Sequence, residues 1–472
     1  MSNSTVLSVN TLLNKALFTL KLASIDQVDN VANVNNNVIN ENAQRKRLTV
    51  KEKMLGYASI PNRHPHTLHH AMKALGYLPT PLLERMVGYL KGPTSKQYLH
   101  ADAHLRLILA INSQLKTPLE LTPMCELREK FAADAVAMQA PKVWKQASGS
   151  VLSNIKRFTQ KGDTPICWED KIIANADDGD MTIRCYQTVS RSNGIGFKKR
   201  PIQNPDETVM MFFHGGGFCI GDIDTHHEFC HTVCARTGWP VVSVDYRLAP
   251  ENPAPAALRD CITAYAWLAK HCHTLNASPS HIVLAGDSAG GGLCTLLAQQ
   301  LTAPTESAWL DLGANGQKTF DLLERLPKSL AQMPLYPVTD IETDYPSWEL
   351  YGEGLLLDHA DVAVFDAACF KNSSLPRQHV LNAPMLGDNR KVCPTYIVAS
   401  ELDVLRDEAF AYAKQIKAHG IPVQTSTVLG APHGFIHFMS VHEGLAQETS
   451  NIIDGFARFV RDAISAQSQL AA

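Results

Sequence analysis

Gly286-Asp287-Ser288-Ala289-Gly290 places one serine between two glycines, directly after the apolar run HIVLA (281–285) and ahead of a helix-like stretch. A serine on a tight strand-to-helix turn carries strained backbone angles, and only small residues at its flanks let the neighbouring chain come close. Such a hydroxyl projects from the turn as a candidate nucleophile. It attacks well only with a base in hydrogen-bond reach, and that base needs a third group to orient it. Where a nucleophile elbow feeds an open α/β sheet, the acid and the histidine follow the serine in chain order. Five histidines lie downstream: His359, His379, His433, His437 and His442. His433 follows the strand-like run VQTSTVL (423–429), where a loop at the sheet's C-terminal edge belongs, and is the expected base; His437, one helical turn on, reads as structural. Glu401, Asp403, Asp407 and Glu408 surround the end of another apolar run, PTYIVA (394–399). Asp403 sits just past that run and is the expected orienting acid, whereas Asp407 and Glu408 read as first-turn charges favoured by a helix dipole.

Upstream, His214-Gly215-Gly216-Gly217-Phe218 leaves the run TVMMFF (208–213). Beside a nucleophile elbow, backbone N–H groups on such a loop can face the oxyanion of a tetrahedral intermediate. The expected donors are Gly215, Gly216 and Ala289, with Gly217 as the alternative. Asp287 reads as a buried, hydrogen-bonded structural acid, and Tyr246, Arg247 and Glu251 as a support network beneath the glycine loop.

These residues must be held by a scaffold. TVMMFF, PVVSVDY (240–246), HIVLA, MPLYPV (333–338) and PTYIVA are short and almost wholly apolar, as strands buried on both faces of a parallel sheet are. Helical stretches such as AALRDCITAYAWLAKHC (256–272) lie between them, so residues 161–472 read as a doubly wound α/β domain. Residues 303–331 form a polar interruption expected to be a surface insertion. Residues 46–160 carry helical periodicity without strand-like runs, with Thr122 as a candidate N-cap ahead of Pro123. Their apolar faces have no partner within that zone, so a helical cap is expected. Residues 1–45 contain an Asn/Val-rich stretch too polar to order itself, preceded by Val9, Leu12, Leu13, Ala16, Leu17 and Leu20 at helical spacing. That short helix either docks on the protein's own core or makes weak interfacial contact, with Lys15 and Lys21 reaching outward.

Taken in order, HGGGF, YRLAPE (246–251), GDSAGG (286–291), YPVTD (336–340), DVLRDE (403–408) and HGF (433–435) resemble the hormone-sensitive-lipase group of bacterial esterases and lipases. The likeness spans about residues 100–465 and includes the LTP-x-x-E-L-R segment (121–128) typical of that group's cap, while the extension before it is most similar to lipases of cold-living bacteria. It implies an α/β-hydrolase fold, mostly a parallel sheet flanked by helices, with an N-terminal helical cap. It implies ester hydrolysis through Ser288, Asp403 and His433, on short- to medium-chain acyl esters and on triacylglycerols as a further possibility. Phe218 and Phe435 are expected to line the acyl site. No cofactor is implied, and no metal. His226-His227-x-x-Cys230-His231-x-x-Cys234 offers metal ligands only superficially, because the group has a metal-free helix there; His64, His66, His69 and His70 read as a solvated helix end. An amidase or peptidase with the same triad is one alternative, since a triad does not choose the leaving group. A non-catalytic ligand receptor is another, although receptors of that kind usually lose a triad member.

The rest of the composition narrows the partners. A net charge of −3 over 472 residues gives no electrostatic invitation to nucleic acid. Eleven cysteines without dense spacing read as buried thiols in a reducing compartment. No stretch reaches the ~18 apolar residues of a membrane span, and the N-terminus lacks the cationic start of a secretory signal. A cytoplasmic enzyme is therefore expected, with export or cell association lacking a recognisable signal as the alternative. Monomer and homodimer both stay open.

Overall fold

A computed structural model describes residues 67–90, 96–116, 119, 122–145, 166–188, 204 and 206–471. The N-terminal helix pattern, the Asn/Val-rich stretch, His64, His66 and the segment 146–160 lie outside the described residues.

The described residues start with four helices, α1 (Thr67–Leu75), α2 (Thr80–Leu90), α3 (Ala103–Leu115) and α4 (Met124–Met138). Asp102 caps α3 by accepting the N–H groups of His104 and Leu105 at 2.9 and 3.0 Å, which satisfies two otherwise orphaned donors. At α4 the expected cap shifts by one residue: Pro123 takes the N-cap position with no side-chain cap bond. An antiparallel hairpin follows, β1 (Ile166–Ala174) and β2 (Asp180–Thr188). The alternating part then runs β3 (Val209–Phe213), α5 (His227–Thr237), β4 (Val241–Val244), α6 (Ala256–His271), β5 (Ile282–Asp287) and α7 (Ala289–Thr302). After α8 (Glu306–Leu310) and α9 (Gly313–Leu323) come β6 (Ala331–Leu335), α10 (Pro346–Tyr351), α11 (His359–Phe370) and β7 (Thr395–Leu402). The chain closes with α12 (Arg406–Ala418), β8 (Val423–Pro432) and α13 (Glu443–Ala471).

The eight strands form one sheet in the order β1-β2-β4-β3-β5-β6-β7-β8, antiparallel across β1, β2 and β4 and parallel from there on. Period-two alternation sorts the strand residues onto two cores. Met210 and Phe212 of β3, with Val283 and Ala285 of β5, face a core shared with α1, α2, α3, α5 and α13. Val209, Met211 and Phe213, with Ile282 and Leu284, face the core under α6, α7 and α12. Both faces being covered explains why these strands read as continuous apolar runs. The interruption at 303–331 is not a loose surface loop. Its helices α8 and α9 bury Trp309, Phe320 and Leu323 in the second core, and the Trp309 indole donates to Gln300 at 2.9 Å. Its polar residues lie outward, which is what the sequence displays. Among the described residues no helix is long and apolar enough to cross a membrane.

Candidate active site

Ser288 is the hinge between β5 and α7, and its φ of +54° is one that L-residues rarely adopt. The flanking glycines are required by close approach. A Cβ on Gly290 would lie 2.0 Å from the Phe213 carbonyl oxygen, and one on Gly286 2.2 Å from the Gly290 carbonyl oxygen. The elbow is therefore pressed against the end of β3, and that contact sets it beside the glycine loop leaving β3.

The three residues expected to act together converge at the C-terminal edge of the sheet. Ser288 Oγ lies 2.8 Å from His433 Nε2, and His433 Nδ1 lies 2.8 Å from Asp403 Oδ2. His433 follows β8 and Asp403 follows β7, adjacent strands in register. The other Oδ of Asp403 accepts the Leu405 N–H at 3.0 Å, so both carboxylate oxygens are engaged. The neighbouring acids are committed elsewhere. Asp407 accepts the Ser347 N–H and pairs with Arg406, Glu401 accepts the Gly430 N–H, and Glu408 accepts the Thr339 N–H at 2.7 Å. Glu408 is fully enclosed; burial pushes its carboxyl well above the usual range despite those N–H bonds, and the charges of Asp403 and Asp340 add to the effect.

Asp287 occupies the space between elbow and glycine loop. Its Oδ1 accepts the Gly215 N–H at 2.7 Å, and the Tyr336 hydroxyl donates to Oδ2 at 3.4 Å. Burial alone would raise its pKa, but the imidazoles of His226 and His437 and the Gly215 N–H outweigh burial and hold it at about 2. This contact alters the expectation for Gly215. Its N–H is turned into Asp287 and away from any oxyanion, and Gly215 does not border the cavity. Gly216 and Gly217 do border it, at φ of +118° and +58°. Among the described residues neither gives its N–H to another protein group, and Ala289, first in α7, has no intrahelical acceptor for its own.

Other expectations need correction. Phe435 does not line the cavity; it is fully buried against Tyr336, ring centroids 5.4 Å apart, in the core beneath His433. Gly434, at φ +70°, turns the chain so that His437 and Phe438 face the cavity instead. Phe218 does line it. Of the support network, only Tyr246 lies beneath the glycine loop, donating to the His214 carbonyl at 2.6 Å with its ring stacked on His214. Arg247 pairs with Asp260 and Asp177, and Glu251 receives Arg128 from α4. His69 is no solvated helix end: it is buried, 3.0 Å from the Met138 carbonyl.

The cavity above Ser288 has a volume of about 1340 Å³. Leu127, Phe131 and Met138 of α4 form one wall and Val362, Phe365 and Phe370 of α11 another. The α11 wall escaped the sequence reading, although its run V-A-V-F-D-A-A-C-F carried a helical apolar signal. Arg128 of α4 donates to the carbonyls of Cys219 and Ala249 at 2.7 and 2.6 Å, tying this wall to the stretch after the glycine loop.

Known proteins share this fold. A sequence profile of the α/β-hydrolase fold matches residues 210–437. The chain is 54% identical over 429 residues to Lipase 2 of Moraxella sp. (strain TA144), covering 89% of this chain and 95% of that protein. It is 32% identical over 256 residues to the carboxylic ester hydrolase LipN of Mycobacterium tuberculosis, covering 54% of this chain and 64% of that one. Among solved structures it is similar to a hyperthermophilic esterase from the archaeon Pyrobaculum calidifontis, with a TM-score of 0.57 and 25% identity over 76% of this chain and 98% of that one. An ester hydrolase from the metagenome of Lake Arreo superposes with a TM-score of 0.58 at 22% identity, over 75% and 96% of the two chains. The chain belongs to the α/β-hydrolase family, in its hormone-sensitive-lipase-like group of bacterial esterases and lipases, and is a carboxylesterase or lipase.

Proposed function

We propose that this enzyme hydrolyses carboxylic esters through an acyl-enzyme on Ser288, with His433 as general base and Asp403 as the acid that orients it. The observation that carries the reading is the unbroken relay Ser288 Oγ to His433 Nε2 to Asp403, with both contacts at 2.8 Å. Asp403 accepts a hydrogen bond from Nδ1–H, which leaves the Nε2 lone pair directed at the serine hydroxyl. When Ser288 Oγ adds to the ester carbonyl, its proton passes to Nε2, and the buried Asp403 charge stabilises the imidazolium. The carbonyl oxygen becomes an oxyanion. Gly216, Gly217 and Ala289 are the N–H groups placed to meet it, and Ala289 adds the positive end of the α7 dipole. Collapse expels the alkoxide, which takes the Nε2 proton and leaves as the alcohol. Water then repeats the sequence, giving the carboxylic acid and free Ser288.

Asp287 serves as a positioning residue. By taking the Gly215 N–H it aims the next two amides of the loop toward the substrate. Helix α4 acts as a cap, holding the acyl chain between Phe131, Phe218 and Phe365 in a water-poor space. A cavity of about 1340 Å³ exceeds the roughly 300–1,000 Å³ of ordinary small-molecule sites, which suits acyl chains of short to medium length and leaves room for a triacylglycerol.

The test is turnover of p-nitrophenyl esters from acetate to palmitate, with tributyrin, triolein and a matched anilide alongside. Ester turnover rising toward the medium chains, with no anilide cleavage, is the expected result. Anilide turnover equal to that of the ester would make the protein an amidase.

A further inference from the structure

Behind the glycine loop lies a second group of side chains that the hydrolytic relay does not use. His226, Asp287 and His437 each offer one ligand atom, and these atoms all lie within 4.8 Å of one another. His226 precedes α5, Asp287 closes β5 and His437 sits on the short turn Phe435–Phe438, so three distant segments converge here. The ligand set read from the sequence on one helix does not form: Cys230 and Cys234 face the core, while His226 turns to Asp287.

Both ring nitrogens of His226 have a close neighbour. Nδ1 lies 2.8 Å from the Thr225 hydroxyl, which also contacts the Asp222 carbonyl at 2.7 Å and accepts the Asp222 N–H at 3.0 Å. Nε2 lies 3.0 Å from the carboxylate oxygen Asp287 Oδ1, in a contact without the alignment of a hydrogen bond, and is otherwise buried without a partner. A cation shared between a ring nitrogen and a carboxylate satisfies both in a dry site. Metal-bound histidines have the far ring nitrogen held by an outer polar group, a place the Thr225 hydroxyl takes at His226 Nδ1.

We propose that His226, Asp287 and His437 bind a divalent transition metal of the zinc type. Two imidazoles and one carboxylate suit zinc, and a three-residue set leaves a coordination position open. Zinc–ligand lengths of about 2.0–2.2 Å in tetrahedral geometry set two donors roughly 3.3–3.6 Å apart, so binding asks the widest pair of the cluster to close by up to ~1.5 Å. His437 can supply that movement from its short turn after Gly434. Asp287 and His437 both border the cavity, which provides the entry path. The Asp287 oxygen that holds Gly215 is also the one facing His226, so the site is joined to the glycine loop through a single carboxylate.

The inference rests on this geometry and not on the esterase reading, so its test uses binding. The full chain is dialysed to equilibrium against zinc, and its cobalt(II) complex is recorded in the near-ultraviolet and visible. The result expected is one saturable equivalent per chain, weakened at least tenfold in His437→Asn and in His226→Phe, each checked for wild-type thermal unfolding. The cobalt complex should lack the intense near-ultraviolet band of thiolate ligation. If His226→Phe fails to fold, His437→Asn decides alone. Three results overturn the proposal: no saturable binding, which leaves a proton as the occupant; affinity within twofold of wild type in the variants that fold; or a thiolate band, which assigns the metal to cysteines such as the exposed Cys125.

Discussion

Replacing Asp403 by asparagine changes one atom in the His433 contact, and the surrounding bonds dictate how the new side chain must sit. Oδ1 accepts the Leu405 N–H at 3.0 Å, so the asparagine carbonyl oxygen stays there. The amide nitrogen then takes the Oδ2 position, 2.8 Å from His433 Nδ1, and donates where the carboxylate accepted. Nδ1 must become an acceptor, the ring proton moves to Nε2, and Nε2 now donates to Ser288 Oγ instead of receiving its proton. The base is lost in its ground state, and the buried charge that stabilises the imidazolium is lost with it. A wrong tautomer of this kind costs about 10³ to 10⁴ in kcat, or roughly 4 to 5.5 kcal/mol of transition-state stabilisation. Size and shape are unchanged, so thermal unfolding should shift little. The assay is kcat on p-nitrophenyl butyrate beside an unfolding curve, with Asp407→Asn as control. Asp407 is held by Ser347 and Arg406, so that control should stay within about tenfold of wild type. Asp403→Asn within tenfold of wild type, or Asp407→Asn far below it, would refute the reasoning.

Ser288→Ala should lower kcat by about 10⁴ or more with folding retained, and an active-site serine reagent should label wild type once per chain and leave the variant unlabelled; near-normal turnover would remove Ser288 from the mechanism. Arg128→Ala strips two carbonyls of their donor and detaches α4 from the loop after the glycines. It should cost about 1–3 kcal/mol of stability and lower the ratio of decanoate to acetate turnover, whereas an unchanged ratio would deny α4 its part in acyl binding. Glu408 offers a pH test. Its raised pKa means that the folded protein holds a proton which the unfolded chain releases above the ordinary glutamate value. Its stabilising contribution is thus complete below that value and declines as pH rises toward the folded pKa, by up to about 1.4 kcal/mol per unit. Glu408→Gln keeps an acceptor for Thr339 and cannot ionise, so its melting temperature should fall less than that of wild type between pH 5 and 9; parallel curves would contradict the argument.

Five of the parallel strands and the meeting of Ser288, His433 and Asp403 were legible because their causes are local. A strand buried on both faces has to be apolar at every position, and the elbow needs glycine where Gly290 meets the Phe213 carbonyl. His433 and Asp403 were singled out by position alone, each standing just past a strand-like run. What failed depended on side-chain direction or on partners far along the chain. Phe435 and Phe438 look equally suited to an acyl wall, and only the turn at Gly434 decides that the second faces the cavity. Arg247 and Glu251 lie beside Tyr246 in sequence, yet their partners are Asp260 and Arg128, set by how the hairpin and α4 pack. Trp309 and Phe320 were masked by the polar residues that cover their helices.

Gly215 is the most informative of these differences, because the reading erred by one peptide unit for an identifiable reason. Consecutive N–H groups in a glycine loop cannot all point the same way, and a nearby acceptor decides which one turns inward. Asp287 is that acceptor, and it is the residue joined to Ser288 by a peptide bond. Placement of the nucleophile and aim of the oxyanion donors are therefore coupled through one carboxylate, held ionised by His226 and His437. This coupling gives G-D-S-A-G a physical content beyond the elbow: its second position must be an acid short enough to reach Gly215 from the end of β5. Glutamate there adds a methylene to a space already filled to contact, since a Cβ on Gly215 would lie 2.5 Å from Asp287 Oδ2. A longer acid would push the glycine loop away from β5 and move its donors off the reacting carbonyl, even with the relay of Ser288, His433 and Asp403 left intact.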